Sequence, residues 1–365
     1  MNIQGRISHI LQTVKIILAT PDAQSRALHP ENTGTIGIIV GRDLVGDALI
    51  KLPFLRALRQ AFPSAKIHWI TSQGPTAYGH ALREVTRGLI DYVHETPPWL
   101  DCLGRPADPH STPPFFDLLI DTRNYRKPAI AARQLPHRLF LATAMRYSLS
   151  DRHPALDQRF WHRPPHICDR LLQTVELAAG YKPSCTGALP VSDALRQKVR
   201  LMLPEGKTYV GFAPGAGNPI KIWPRYKFEK VAAMQVAEGR VPVFILGPQE
   251  LAAYDALNAA VPTAKFPLQD YEVWQQTTLT IDHTLAIAER LNVAVANDSG
   301  VGHMLAAADC PLISLFGPTS PEKLAPRVTH GKVIRAQEFG GAMMKLIPVE
   351  NVHEAVKAML ASTAL

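Results

Sequence analysis

Cysteine is scarce in this chain. The 365 residues hold four, at positions 102, 168, 185 and 310, spaced 66, 17 and 125 residues apart. No CxxC or CxxH pair exists to hold zinc or a cluster, so the thiols read as reduced, buried side chains of a cytosolic protein. Long apolar runs are missing too. No uncharged stretch approaches the roughly 18 to 20 residues that cross a bilayer, and residues 1–30 lack the continuous apolar stretch and small-residue cleavage site of an export signal. The chain is therefore expected neither to span a membrane nor to be exported. Acids are in deficit, 31 against 39 Lys and Arg, and the net charge of +8 points to an anionic partner. Nucleic acid, phosphorylated lipid and nucleotide all fit that charge, but no nucleic-acid recognition motif accompanies it. With 46% hydrophobic and 19% charged residues, global disorder and fibrous repeats are excluded. The length favours two domains.

The first segment, residues 1–33, is expected to be an extension. Ile7, Ile10, Leu11, Val14, Ile17 and Leu18 recur at helical spacing beside Arg6, His9 and Lys15. Such an amphipathic helix suits either a membrane interface or the protein's own surface. From Thr35 a strand-then-helix rhythm begins: strand 35–40, helix 47–61 closed by Pro63, strand 66–71, helix 76–85, strands 90–94 and 116–121. This predicts a first Rossmann-like domain over 34–182. Within it, residues 123–170 carry ten Lys and Arg against three acids, with Tyr125, Phe140, Tyr147, Phe160 and Trp161 interspersed. A helix over 171–179 and a proline-bearing linker over 182–190 follow. A second copy of the layout is then predicted over 183–365: strands 208–212, 241–246, 293–296 and 312–316, helices 226–237, 249–260, 283–291 and 301–308, and a terminal helix 349–360. The fold class is α/β, two α/β/α domains facing across a cleft.

In open α/β sheets ligands bind beyond the carboxyl ends of the strands, and three such loops combine glycine with polar residues. The first runs from Gly41 to Asp47, with Gly46 permitting a tight backbone. Asp47 is both a candidate helix N-cap and a candidate general base. The second runs from Pro214 through Gly215, Ala216, Gly217 and Lys221 to Pro224. Its small residues would let backbone amides approach an anion, with a cation beside them; a plain surface turn is the alternative. It lacks the GK[ST] of a P-loop and the full GxGxxG of a dinucleotide fold. The third is Asn297 to His303, where Asp298 or Ser299 caps a helix whose start is bared by Gly300 and Gly302. Unpaired amides and the helix dipole make that start attractive to phosphate. His303 on the first turn is a packed structural residue or a ligand contact.

Taken together the three loops resemble the ADP-heptose:lipopolysaccharide heptosyltransferases, glycosyltransferase family 9. Residues 36–63, IGIIVGRDLVGDALIKLPFLRALRQAFP, resemble the family's opening strand, GD motif and helix. Residues 210–224, VGFAPGAGNPIKIWP, resemble its PG…KxWP motif, and residues 298–318, DSGVGHMLAAADCPLISLFGP, its DSGxxH…FGP motif. The resemblance implies a GT-B architecture, acceptor on the first half and nucleotide-sugar donor on the second. It makes Asp47 the catalytic base and Lys221 the cation on the donor's phosphates, in a single-step inversion needing no cofactor. Gly215, Ala216, Gly217, Asp298, Ser299, Gly300, Gly302 and His303 become donor-side residues. Glu250 would hold a ribose hydroxyl or else favour a helix start. The basic segment would meet the anionic glycolipid acceptor, with Arg123, Arg126 and Lys127 foremost, unless it is merely a solvated surface. The implied place of work is the cytoplasm, with peripheral contact to the inner membrane.

Two features depart from the family pattern: the leader of about thirty residues lies outside the motif-bearing core, and Gly217 stands where hydroxyl residues are common. Dispersed cysteines also separate the chain from protein heptosyltransferases that hold a cysteine-bound iron. Rival readings are a GT-B transferase or sugar-nucleotide epimerase with another donor, and a non-catalytic binder of nucleotide or glycolipid.

Overall fold

Apolar runs such as Thr35–Val40 and Leu312–Phe316 have no polar alternation, the pattern of parallel strands covered on both faces. A computed structural model of the chain describes residues 28–101, 108, 110–275 and 277–363. The expected amphipathic helix between Ile7 and Leu18, and Cys102, lie outside the described residues. In chain order the elements are β1 (Thr35–Val40), α1 (Val45–Leu49), α2 (Leu52–Ala61), β2 (Lys66–Thr71), β3 (Tyr92–Glu95), β4 (Phe116–Asp121), α3 (Arg126–Ala132), β5 (His137–Ala142), α4 (Leu156–Phe160) and α5 (Ile167–Ala179). There follow α6 (Asp193–Met202), β6 (Tyr209–Ala213), α7 (Arg225–Ala237), β7 (Val241–Phe244), α8 (Tyr254–Ala260), α9 (Tyr271–Trp274) and α10 (Ile281–Ala288). Last come β8 (Val293–Asn297), α11 (Gly300–Ala307), β9 (Leu312–Phe316), α12 (Pro321–Leu324), β10 (Gly331–Arg335) and α13 (Val349–Thr363).

Two five-stranded parallel sheets result, in the orders β3-β2-β1-β4-β5 and β10-β9-β8-β6-β7. Both are Rossmann-like, as the rhythm of strands and helices predicts. Contacts divide the chain into two units. One comprises residues up to Leu44, Pro53–His80 and Thr86–Thr186; the other comprises Val45–Leu52, Ala81–Val85 and Gly187–Leu365. Thus α1 groups with the second unit although β1 and α2 belong to the first. In the first unit a buried cluster gathers Ile39, Ile70, Phe116, Leu119 and Phe140. In the second, Trp223 is fully buried with Phe212, Phe228 and Phe244, its ring edge-on to Phe228 at 4.9 Å. Burying one such ring contributes roughly 1.5 to 3 kcal/mol.

Three expected helices are corrected. The helix predicted over 47–61 is two, α1 and α2, separated at Ile50 and Lys51. Pro53 has no N–H and its ring opposes the carbonyl four residues back, so a helix begins there rather than passing through. Over 76–85 only a 3₁₀ turn, Ala77–Gly79, forms. Tertiary partners take the local donors: the Thr76 amide bonds Glu95 Oε1 at 2.8 Å and the Ala77 amide bonds the Asp43 carbonyl at 3.1 Å. The helix expected over 249–260 opens as a 3₁₀ turn, Leu251–Ala253, before α8. The sequence reading also lacks β5, β10 and α6. The charged start of β5 hides it within the basic segment, and β10 is an edge strand whose first residues, Gly331 and Lys332, are exposed.

Candidate functional site

The strand order of the second, all-parallel sheet reverses between β6 and β8, and the loops beyond that switch point are where ligands collect in doubly wound folds. Asn297, the last residue of β8, ties them together. Its Nδ2 donates to the Pro214 carbonyl at 2.7 Å, and its Oδ1 accepts from the Trp223 amide at 3.1 Å. Both ends of the loop 214–223 are therefore fastened to one buried side chain. Trp223 adds a third tether, its Nε1 donating to the Ile347 carbonyl at 3.0 Å.

Within that loop Gly215 is buried, Ala216 half-buried and Gly217 exposed. A Cβ on Gly215 would collide with the Glu250 carboxylate, and one on Gly247 would lie 2.9 Å from Glu250 Oε2. Two glycines thus make room for one carboxylate. Glu250 makes no side-chain cap to the 3₁₀ turn that follows it; the carboxylate turns toward the loop instead. Beside it lies a cavity of about 350 Å³ walled by Gly215, Ile222, Trp223, Glu250, Ala253 and Leu257.

Lys221 ends the 3₁₀ turn Pro219–Lys221, whose start is capped by Asn218 Oδ1 accepting from the Ile220 amide at 3.2 Å. Its Nζ lies 2.8 Å from Asp298 Oδ2. That carboxylate is buried and also accepts from Thr319 Oγ1 at 2.6 Å. The ammonium is consequently fixed beside the start of α11. Ser299, not Asp298, is the N-cap, its Oγ accepting from the Gly302 amide at 3.3 Å. A Cβ on Gly302 would press on the Asn297 carbonyl at 3.2 Å, which is why a side chain is absent there. His303 is buried on the same first turn.

Gly46 lies against this helix. A Cβ on Gly46 would stand 3.5 Å from Gly300 Cα and 3.7 Å from His303 Cδ2, so α1 and α11 meet through bare backbone. Asp47, the next residue, is exposed in the first turn of α1. It is not the N-cap, because α1 begins two residues earlier at Val45. A carboxylate in a first turn is favoured by the helix dipole. Its own backbone carbonyl accepts from Lys51 Nζ at 2.7 Å.

The three basic residues read from sequence as acceptor contacts separate in the first unit. Arg123 is buried and clamps Asp121 with two bonds, Nε to Oδ1 at 2.9 Å and an Nη to Oδ2 at 3.0 Å. Its other donors reach Ser72 Oγ and the Pro128 carbonyl, each at 3.2 Å. It braces the end of β4. Arg126 and Lys127 are exposed at the start of α3.

Sequence reasoning placed Asn297 in the third loop but missed its role as a tether, and it missed Thr319 and the glycine contact between α1 and α11. A polar residue closing the apolar strand VAVAN was the available signal for the first, since a buried amide needs specific partners. The other two have no local signature.

A model of the family described as glycosyltransferase family 9 (heptosyltransferase) matches residues 114–345. The chain is 30% identical over 138 residues to lipooligosaccharide heptosyltransferase 2 of Haemophilus influenzae, a match covering 38% of each protein. The chain thus matches under two-fifths of that relative's length. The fold is similar to that of a family 9 glycosyl transferase from Veillonella parvula, with a TM-score of 0.66 at 19% identity over 90% of this chain and 98% of that one. It is similar also to Escherichia coli ADP-heptose lps heptosyltransferase II, with a TM-score of 0.59 at 22% identity over 91% of this chain and 100% of that one.

Proposed function

The chain belongs to glycosyltransferase family 9, and from that premise we propose that it moves a heptose from ADP-heptose to a hydroxyl of an anionic lipopolysaccharide inner core, with inversion. Asp47 takes the proton of the acceptor hydroxyl as that oxygen bonds the anomeric carbon, and the bond from that carbon to the diphosphate oxygen breaks on the opposite face. The leaving ADP gains negative charge. Lys221, the amides of residues 215–217 and the bare start of α11 meet that charge as it develops, where such groups act most strongly. Glu250 accepts from a ribose hydroxyl. Arg126 and Lys127 attract the acceptor's phosphates and carboxylates, while the buried Arg123 holds Asp121 at the end of β4 and the Pro128 carbonyl of α3. We assign the work to the cytoplasm at the inner membrane face, without a cofactor.

One observation carries this reading. The single turn 297–303 holds Lys221 through Asp298 and receives Gly46, the neighbour of Asp47, on Gly300. A non-catalytic nucleotide binder has no need to bring a carboxylate-bearing helix onto its phosphate-facing turn.

The test is to incubate the protein with ADP-heptose and truncated core glycolipids in the presence of a chelator and to weigh the product. A gain of one heptose with inverted anomeric configuration is expected; a retained configuration or a requirement for metal overturns the mechanism. Titration calorimetry with ADP, UDP and GDP tests the donor, and preference for UDP overturns it.

A further inference from the structure

One carbonyl behind the 214–223 loop accepts from two side chains. Ile347, just before α13, receives Trp223 Nε1 at 3.0 Å and Lys227 Nζ at 2.7 Å. Lys227 stands in the first turn of α7, and its ammonium also donates to the Lys345 carbonyl at 2.6 Å while lying 5.8 Å from the centroid of the Trp223 ring. A helix start disfavours a cation, so the dipole does not account for this lysine. Burial lowers its pKa, with Glu350 opposing and Lys230 assisting. Desolvating a cation is costly unless its bonds are made, and here they are made to one short segment of chain.

That segment, residues 337–347, also holds the loop beyond β9. Gln337 Nε2 donates to the Gly317 carbonyl at 2.6 Å, and Met344 packs so closely that a Cβ on Gly317 would lie 2.7 Å from its Sδ. Two residues on, Thr319 bonds Asp298, whose carboxylate holds Lys221. Trp223, two residues beyond Lys221, closes the circuit. The Lys221 cation is thus held from both directions by one stretch of chain, through Asp298, Thr319 and Gly317 on one side and through Trp223 on the other. Contiguous bonded and packed networks of this kind carry energetic coupling to a site.

We propose that Lys227 is a positioning residue for donor binding, acting through the Ile347 carbonyl and Trp223 to place the Lys221 ammonium against the diphosphate. Gln337 does the same work from the Gly317 side. The inference rests on Lys221 meeting the donor's phosphates in the proposed function, and extends it to two side chains outside the three glycine-bearing loops. A purely stabilising tie would be indifferent to whether the ligand carries phosphate.

The test is a double-mutant cycle read by titration calorimetry, with ADP and with adenosine, which has no phosphate for Lys221 to meet. Lys227→Met keeps an apolar stem along Trp223 and removes the ammonium. It should raise the Kd for ADP about fivefold and leave that for adenosine within about twofold. Combined with Lys221→Ala it should add less than about twofold, because the group through which it acts is gone. Gln337→Ala alters an exposed side chain, should behave likewise at about threefold, and carries the test if Lys227→Met does not fold. Losses that add in the cycle, equal weakening for ADP and adenosine, or an unchanged Kd for ADP in the folded variants overturn the proposal. ADP affinity unchanged in Lys221→Ala alone defeats the donor reading itself, which separates the two failures.

Discussion

Lys221 Nζ and Asp298 Oδ2 are 2.8 Å apart, and the carboxylate is anchored in turn by Thr319. The pair fixes a cation at the start of α11, and since Asp298 engages one of the ammonium's three donors, two are left for the diphosphate of the proposed donor. Lys221→Ala should raise the Kd for ADP about tenfold and lower kcat by roughly two to three orders of magnitude. Asp298→Asn keeps the shape but removes the ion pair, and should weaken ADP binding less than the lysine variant does. Calorimetry on both orders them, and a larger effect for Asp298→Asn than for Lys221→Ala contradicts the positioning role.

Asp47, the proposed base, is exposed on α1. Asp47→Ala should cut kcat by roughly two to four orders of magnitude, the usual contribution of a general base. Affinity for ADP should stay within about twofold. Turnover near that of the unaltered protein would remove Asp47 from the mechanism.

The glycines of the 214–223 loop should behave oppositely. Among the described residues nothing lies within 4 Å of a Cβ built on Gly217, so Gly217→Ser should fold with stability unchanged to within about 0.5 kcal/mol. Its hydroxyl offers the donor a further hydrogen bond, improving affinity about fivefold. Gly215→Ala meets the Glu250 carboxylate and should weaken donor binding about tenfold. Parallel KM measurements on the two variants check this, and KM values equal to that of the unaltered protein in both would show that the loop adapts around either side chain.

Asn297→Ala strands a buried carbonyl at Pro214 and a buried amide at Trp223. Each unsatisfied group costs about 1 to 3 kcal/mol, so urea unfolding should report a loss of about 3 kcal/mol. Asn297→Asp restores the acceptor for Trp223 but not the donor for Pro214. It should recover only part of the loss.

In the first unit His68 Nδ1 and His94 Nε2 share a hydrogen bond of 2.9 Å, which needs one ring to accept and so disfavours two protonated rings. Burial foremost, and His94 next, lower the His68 pKa from 6.5 to about 4, against an opposing pull from Asp91. Burial lowers that of His94 as well. The unfolded chain therefore binds more protons than the folded one between about 6.5 and about 4, so stability is complete above that window and falls as the pH drops through it. Urea midpoints across the window should decline less steeply in His68→Asn. An unchanged slope would show that the pair does not govern acid sensitivity.

Much of the fold was legible because parallel strands buried on two faces need continuous β-branched and apolar runs. The strands 35–40, 66–71, 116–121 and 312–316 fall where those runs stand. Legibility failed where local pattern yields to distant contacts. Residues 76–85 have helical spacing, but Glu95 and Asp43 claim their amides, and β5 is disguised by the charges at its start. Among the candidate site residues, the loop glycines with Lys221 and the 298–303 turn were readable from composition and spacing, whereas Arg123 looked like a surface cation and is buried against Asp121.

The sequence by itself determined the two α/β units, the three glycine-bearing loops at strand ends and the family they resemble, because residue type and spacing set backbone preference locally. Tertiary structure alone decided which loops meet. Asn297 reaches partners 83 and 74 residues away, and Gly46 rests on Gly300 from the far side of the chain. Such contacts arise only when distant segments satisfy one another's buried polar groups or fit where a side chain is absent, and no local pattern encodes that.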